Sequence, residues 1–282
     1  MAGRNIVVGV DGSDSALAAV RWAAVEARRW RSPVRLVGVC PWPDHHFGGE
    51  ALGLDYRQAF VRIAREQVEA AVEVAAATAP SVEVHRQVIV GYPVPVLAAE
   101  SKRARLVVLG DRGLGGVTGL LVGSVAVGLA ARGVCPVVVV RGEPPVALDS
   151  PLPVVVGVDG AERSEAALAF GFEAASARGV PLVAVHTWRD DRIDPIFEDW
   201  ERRVLAERLA GWSEKYPDVA VRRVVSRDGP AHRLLAEAER AQLVVVGSHG
   251  RGDFTGLVLG SVGHALLHRA PCPVAVVRPE KP

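Results

Sequence analysis

The sequence predicts two tandem α/β domains, each with helices on both faces of a five-stranded parallel sheet. Three observations support this fold class: an internal repeat, short valine-rich runs, and longer helical patterns that alternate with those runs. Strands separated by helices of 10–20 residues must cross over to pair in parallel, so this alternation is typical of a doubly wound sheet.

The internal repeat sets the domain organisation. Residues 110–141 align with 247–278 without gaps and are identical at 17 of 32 positions. Residues 6–24, which begin the first half, also match residues 154–172, which begin the second. We therefore predict two related domains, 1–142 and 153–282, joined by a proline-rich linker at 143–152.

The apolar runs give the strands in order. In the first half they cover 6–10, 34–39, 82–90, 106–109 and 137–140, and in the second they lie near 154–158, 182–186, 219–225, 243–246 and 274–277. Each run is short and rich in valine, which favours strands. The run VVVV at 137–140 is apolar at every position, as expected for a strand that is buried on both faces.

Helical patterns fill the gaps between the runs of the first half, at 14–30, 57–78, 94–103 and 124–132. Ser13, Asp14 or Ser15 can cap the first of these helices. Gly-Tyr-Pro at 91–93 introduces the third, since proline is favoured at a helix start.

Composition argues against several classes of protein. Thirty-three basic and 32 acidic residues leave a net charge of +1, which argues against a nucleic-acid or anionic-membrane partner. The stretch 119–140 is apolar enough to be considered as a membrane-spanning helix. Its repeat copy, however, carries two histidines and an arginine, and a proline interrupts both copies, so we predict no membrane span. The N-terminus enters a strand pattern at once, and three cysteines suggest a reducing compartment. We expect a cytoplasmic protein.

A doubled glycine motif points to a ligand. It places three glycines before a serine, between a strand and a helix, as Gly110, Gly113, Gly123 and Ser124, and again as Gly247, Gly250, Gly260 and Ser261. Without a Cβ, the first two glycines are expected to adopt positive φ and press their N–H groups on a ligand. The serine opens a helix whose N-terminal amides suit phosphate. The nine residues before the third glycine would form an arm around that ligand.

Two aspartates end the first strand of each half. Asp11 and Asp159 could contact a nucleoside, or each could cap the following helix. We favour ligand contact because the glycine motif lies on the neighbouring strand in both halves. The spacing matches neither the Walker loop nor the dinucleotide fingerprint, since no lysine follows the glycines and the first strand ends in GVDG.

Three features together resemble the ATP-binding branch of the universal stress protein family: the strand-one aspartate, the G-x2-G-x9-G-Ser motif and a Cys-Pro pair before the last valine strand. The resemblance is to a tandem form of the family and covers nearly the whole chain. The resemblance implies a Rossmann-like strand order 3-2-1-4-5 and ATP with Mg2+ at the switch point. Besides the aspartates and the two glycine motifs, it implies that the backbones of Val39 and Val185 hold the adenine. It also implies pairing of the halves about a pseudo-twofold axis through their last strands, and a homodimer or higher homo-oligomer.

One motif position departs from the family pattern. The first copy has Asp111 where the second has Ser248 and where members commonly carry a small hydroxyl residue. A carboxylate near a triphosphate could lower affinity or help to hold Mg2+. Arg112 and Arg251 could offset its charge from solvent, and we expect the second site to be the tighter.

Other polar and aromatic residues are less specific. His45 and His46 share a Pro/Gly-rich loop that the second copy does not repeat, so we interpret them as an exposed pair and not as a metal site. His249 lies inside the second glycine motif and is expected to line the nucleotide site. Trp42 and Trp188 occupy matching positions after the second strand, and we assign them to packing.

The function predicted from these features is an ATP-binding stress-response protein that works as a nucleotide-dependent sensor or switch. It would have one site per domain, an unidentified protein partner and at most weak ATP hydrolysis, with no catalytic or metal-ligating residues assigned. Two alternatives stay open: an ATP-using enzyme such as a slow ATPase, ligase or kinase, and an interaction scaffold with vestigial sites.

Overall fold

The computed structural model describes residues 4–40, 54–113, 122–141, 150–160, 164–188, 195–248 and 259–279. The chain divides into two compact units, Met1–Glu143 and Pro144–Pro282. Within the described residues, no helix combines the length and the apolarity needed to cross a membrane.

The first unit is a parallel sheet covered by four helices. Its strands are β1 (Asn5–Val10), β2 (Val34–Cys40), β3 (Val84–Val90), β4 (Ala104–Gly110) and β5 (Val137–Val140). Its helices are α1 (Asp14–Trp30), α2 (Leu54–Thr78), α3 (Pro93–Ser101) and α4 (Ser124–Ala130). All pairs are parallel and the strand order is β3-β2-β1-β4-β5. The predicted fold class is confirmed.

The second unit has the same plan. Its strands are β6 (Val154–Val158), β7 (Leu182–Thr187), β8 (Val221–Ser226), β9 (Leu243–Gly247) and β10 (Val274–Val277). Its helices are α5 (Glu165–Arg178), α6 (Pro195–Lys215), α7 (Pro230–Ala238) and α8 (Ser261–Arg269). The order β8-β7-β6-β9-β10 is again 3-2-1-4-5, with every pair parallel.

Valine-rich strands form the core of each sheet because both of their faces are covered by helices. In the first unit Ile6, Val7 and Val8 of β1 lie beside Leu106 and Val107 of β4, and all five are buried. Complete burial of such a side chain stabilises the fold by about 1.5–3 kcal/mol. The apolar character of every residue in these runs, rather than an alternation, is what a doubly covered sheet requires.

Helix α1 shows how the chain leaves the sheet. Its N-cap is Ser13, whose hydroxyl accepts a hydrogen bond from the N–H of Ala16 at 3.2 Å. Of the three capping residues that the sequence offered, the structure therefore selects one. The helix ends at Trp30, and its C-cap residue Arg31 adopts a left-handed conformation with φ 49°. An alanine-rich face lets it pack closely on β4 and α2.

The strand order of each unit creates a switch point at the carboxyl ends of its strands. In the first unit β2 lies on one side of β1 and β4 on the other, so the crossovers leave β1 and β4 towards opposite faces. Ligands of open α/β sheets bind at this switch point, beyond the carboxyl ends of the strands. In the second unit the corresponding strands are β6 and β9.

The cysteines carry no disulfide in the described chain. Cys40 and Cys272 are buried and Cys135 is partly exposed, and all three are free thiols. Burial raises the pKa of the Cys135 and Cys272 thiols to about 12. Both therefore stay protonated near neutral pH, and they behave as small packing residues.

Candidate nucleotide site

A cavity of about 280 Å³ lies at the switch point of the first unit. The ends of β1, β2 and β4, the start of α3 and the first turn of α4 line it. Six residues that the sequence predicted for the first site all line this one cavity: Asp11, Val39, Gly110, Gly113, Gly123 and Ser124. The fold thus brings together positions that are up to 113 residues apart in the chain.

The two sides of the cavity differ in chemistry. Val37, Leu97 and Leu109 give it an apolar wall, whereas Asp11 and the turn from Gly110 to Gly113 contribute polar atoms. Ligand sites typically combine an apolar lining with a few placed polar groups. This division suits a molecule with a flat apolar part and a polar or anionic part.

The glycines of the first motif differ from expectation in conformation. In the described chain, the glycines with positive φ are Gly12, Gly91, Gly160 and Gly179. The prediction of positive φ at Gly110 and Gly113 is therefore wrong. Space is limited at both positions instead, by the Ser15 backbone at Gly110 and by the end of the Asp11 side chain at Gly113. A Cβ on Gly110 would lie 2.3 Å from the Ser15 hydroxyl, and one on Gly113 would lie 2.3 Å from Oδ2 of Asp11.

Asp11 acts through its neighbour at the start of α1. Its Oδ1 accepts hydrogen bonds from the Ser13 N–H at 3.1 Å and from the Ser13 hydroxyl at 2.6 Å. Ser13 in turn caps the helix. Asp11 thus contributes to the helix cap only indirectly, by orienting Ser13. Asp11 also borders the cavity.

A buried charge lies behind the glycine turn. Asp111 is only 2% exposed, and its Oδ1 accepts a hydrogen bond from the Ser15 hydroxyl at 2.7 Å. The Nε atoms of Arg112 and Arg141 each lie 3.6 Å from Oδ2. Two guanidinium groups therefore face this one carboxylate, that of Arg112 from an exposed position and that of Arg141 from a half-buried one.

Sequence reasoning missed Ser15 and Arg141 as partners of Asp111. A signal for Arg141 was present, because Arg141 and Arg278 follow the last strand at the same repeat offset. In the second unit the residue that corresponds to Asp111 is Ser248, which is buried and uncharged. Burial lowers the pKa of the Arg278 guanidinium, the expected direction for a desolvated cation.

In both units a backbone hydrogen bond joins the third glycine of the motif to the residue after the first glycine. The N–H of Gly123 donates to the carbonyl of Asp111 at 2.6 Å, and the N–H of Gly260 donates to that of Ser248 at 2.9 Å. These bonds fix the point at which α4 and α8 begin. Neither helix receives a side-chain cap from the described residues. The first-turn amides of α4 belong to residues that line the cavity, where they can donate to a ligand.

The predicted residues of the second site lie at the matching strand ends. Asp159 follows β6 and Gly247 ends the adjacent strand β9, while Val185 pairs with Gly157 across β6 and β7. The Ser164 hydroxyl donates a hydrogen bond to Oδ1 of Asp159. Gly250, all but the last residue of each nine-residue arm, Trp42, the His45–His46 pair, His249 and Arg251 lie outside the described residues. Trp188 is 4% exposed and packs against the Arg227 guanidinium, as expected for a packing residue.

A buried histidine beside the second site was not foreseen from the sequence. His186 is completely buried, with Nδ1 2.8 Å from the carbonyl oxygen of Val158 and Nε2 2.7 Å from Oε2 of Glu201. A carbonyl oxygen only accepts, so Nδ1 carries a hydrogen. A second proton must lie between Nε2 and the carboxylate oxygen. His186 thereby connects the ends of β6 and β7 to α6, and the matching residue of the first copy is Cys40.

The chain is similar to known proteins over nearly its whole length. The model of the universal stress protein family matches residues 3–141 and again residues 152–278. A universal stress protein of Mycolicibacterium smegmatis is 44% identical over 98% of this chain and 97% of its own length. One from Mycobacterium tuberculosis is 42% identical over 97% of this chain and 96% of its own.

A solved structure shows the same fold. The crystal structure of a universal stress protein from Archaeoglobus fulgidus matches with a TM-score of 0.77 at 19% identity, over 99% of both chains. The doubled family match and the full-length relatives lead to one conclusion: this chain belongs to the universal stress protein family, as a tandem member with two copies of the family domain.

Proposed function

We propose that the protein binds ATP, together with Mg2+, at one site in each unit, and acts as a nucleotide-dependent sensor or switch in the stress response. The observation that carries this proposal is the switch-point cavity of the first unit, which is lined by all six residues predicted for that site. A volume of about 280 Å³ is close to the lower end of ordinary ligand pockets.

The chemistry of the cavity suits the parts of a nucleotide. The apolar wall accommodates a base, and the backbone of Val39 offers hydrogen bonds to its edge. The Asp11 carboxylate, which lines the cavity, would accept hydrogen bonds from ribose hydroxyls. The first turn of α4, at Gly123 and Ser124, offers amides and a hydroxyl to the phosphates. In such an arrangement Mg2+ is held mainly by phosphate oxygens and water.

The two sites should differ in their affinity for a triphosphate. In the first unit Arg112 and Arg141 are already paired with Asp111. In the second unit the uncharged Ser248 takes the place of Asp111, so no carboxylate at that position repels the phosphates. We therefore propose that the second site binds ATP more tightly.

The remaining parts of the proposal concern how nucleotide binding is used. Binding can shift the protein between two states only by the difference in affinity for those states. We infer that an unidentified protein partner detects this shift, that the chain works in the cytoplasm as a homodimer or higher homo-oligomer, and that ATP hydrolysis is at most slow.

The test is calorimetric titration of nucleotide-stripped protein with ATP and Mg2+. We expect two equivalents per chain, and phosphate release measured in parallel should be slow. Gly113→Val should remove one equivalent, because its side chain would overlap Oδ2 of Asp11. Gly211→Ala is the matched control, since a Cβ there meets no atom within 4 Å. A wild-type chain that binds no ATP at millimolar concentration would contradict the proposal.

A further inference from the structure

Two histidines lie one turn apart on helix α8 of the second unit. His264 and His268 are at positions i and i+4, with ring centroids 4.3 Å apart and ring planes 34° from one another. His264 is exposed and His268 is half-buried. The first copy has Val127 and Ala131 at the corresponding positions, so this pair is a property of the second unit alone.

We propose that His264 and His268 form a binding site for a divalent transition-metal ion of the class that prefers imidazole, namely Cu2+, Ni2+ or Zn2+. Both rings would act as ligands, each through one nitrogen. Imidazole is the commonest protein ligand for such ions, whereas Mg2+ and Ca2+ prefer oxygen. Neither histidine is among the residues assigned to the nucleotide site, so the proposal does not depend on ATP binding.

The helix geometry permits both rings to bind one ion. Side chains at i and i+4 project from the same face, one above the other. Zinc–nitrogen distances are about 2.0–2.1 Å, which for a tetrahedral ion places the two nitrogens roughly 3.3 Å apart. Rings whose centroids are 4.3 Å apart can present nitrogens at that separation.

The site would be an open one. Among the described residues, no group of three or more His, Cys, Asp or Glu side chains is arranged to hold a metal ion. Water or an added ligand would therefore occupy the other coordination positions. Two of the three thiols, Cys135 and Cys272, compete weakly, because burial raises their pKa to about 12 and thiolate is the form that binds metals.

Metal binding would act on α8 itself. An ion held by residues i and i+4 connects two successive turns, so it favours the helical form of the segment that carries both ligands. Helix α8 begins at Ser261, and His264 follows three residues later on the same face. The bound ion would lie near the start of the helix, about one turn from Ser261.

The experiment is a calorimetric titration of the full-length, tag-free and nucleotide-free chain with Ni2+. His264→Ala and His268→Ala should each weaken the same site, on the order of tenfold to hundredfold, since each removes one point of a two-point contact. The double variant should weaken it little further. His232→Ala is the control, because His232 is an exposed histidine on the neighbouring helix α7.

Two further measurements keep the result decisive. Circular dichroism melting of each variant without metal checks that α8 still folds, and His264→Gln provides a less disruptive replacement. Lowering the pH should release the ion, because protons compete for the imidazole nitrogens. Unchanged Ni2+ binding in either single variant, or an equal loss in His232→Ala, would overturn the proposal.

Discussion

The imidazole of His186 lies between two oxygen atoms, 2.8 Å from the carbonyl oxygen of Val158 and 2.7 Å from Oε2 of Glu201. Neither contact is exposed, since His186 is 0% and the Glu201 side chain 10% accessible to solvent. The shared proton makes the pair neutral as a whole. That neutrality explains how two titratable groups can be buried together at the edge of the second site.

Replacing one member of this pair should destabilise the protein. In His186→Cys, which introduces the residue found at the matching position 40, Glu201 loses its partner while remaining largely buried. We expect the free energy of unfolding to fall by about 3 kcal/mol, because an unpaired buried acid must be protonated or desolvated. Urea denaturation of the intact chain measures the loss. Glu201→Gln keeps a hydrogen bond to Nε2 and should cost less, so an equal or larger loss would argue against the shared proton.

Gly110 should tolerate no side chain. In Gly110→Ala the new Cβ would lie 2.6 Å from the backbone carbonyl carbon of Ser15, an atom that cannot rotate away. We expect a loss of about 1–3 kcal/mol in stability, as for other overpacked positions. Gly211→Ala, in open space on α6, should instead be neutral or stabilise by about 0.5–1 kcal/mol. Similar denaturation midpoints for the two variants would refute the packing role of Gly110.

Two single substitutions, Asp111→Ser and Ser248→Asp, should change the ATP affinities of their own sites in opposite directions. Asp111→Ser frees Arg112 and Arg141 from the carboxylate and should tighten the first site roughly threefold to tenfold, a change of about 1 kcal/mol. Ser248→Asp places a carboxylate near Arg278 and should weaken the second site. The measurement is ATP titration fitted to two sites at low ionic strength. Weaker binding after Asp111→Ser would mean that the carboxylate helps to hold Mg2+.

Alkaline pH should destabilise the fold in a way that depends on two cysteines. The pKa values of Cys135 and Cys272 are raised by burial from 9.0 to about 12 in the folded chain. Above pH 9 the unfolded chain releases these thiol protons while the folded chain keeps them, so stability is full below pH 9 and declines as the pH rises towards 12.

Chemical denaturation between pH 8 and pH 11 tests this expectation, with the Cys135→Ala, Cys272→Ala double variant as reference. Other groups also titrate in this range, and the comparison with the double variant removes their contribution. The wild-type chain should lose more stability with pH than the variant. Parallel curves would show that the thiols are not the groups responsible.

The sequence predicted most of the architecture because the information is local and repeated. Valine runs such as 137–140 indicated strands, and their alternation with helical patterns indicated a parallel sheet. The doubled motif also identified which residues would meet: Asp11 and Gly113, 102 positions apart, border the same cavity. The resemblance to a known family supplied the strand order, which periodicity alone does not determine.

Other features arise only from contacts across the fold. Whether Gly110 serves a turn or a close approach depends on how near α1 passes to β4, and no local pattern records that distance. The same holds for Asp111, whose carboxylate accepts a hydrogen bond from Ser15 and pairs with Arg141. It holds also for His186, whose partner Glu201 lies on the following helix.

The sequence by itself therefore determined the fold class, the repeat and the set of residues at the strand ends, since hydrophobic periodicity and backbone chemistry act along the chain. Only the tertiary structure decided which charges are paired and which glycines are required for space. Those properties depend on distances of a few ångströms between residues that the sheet brings together from far apart.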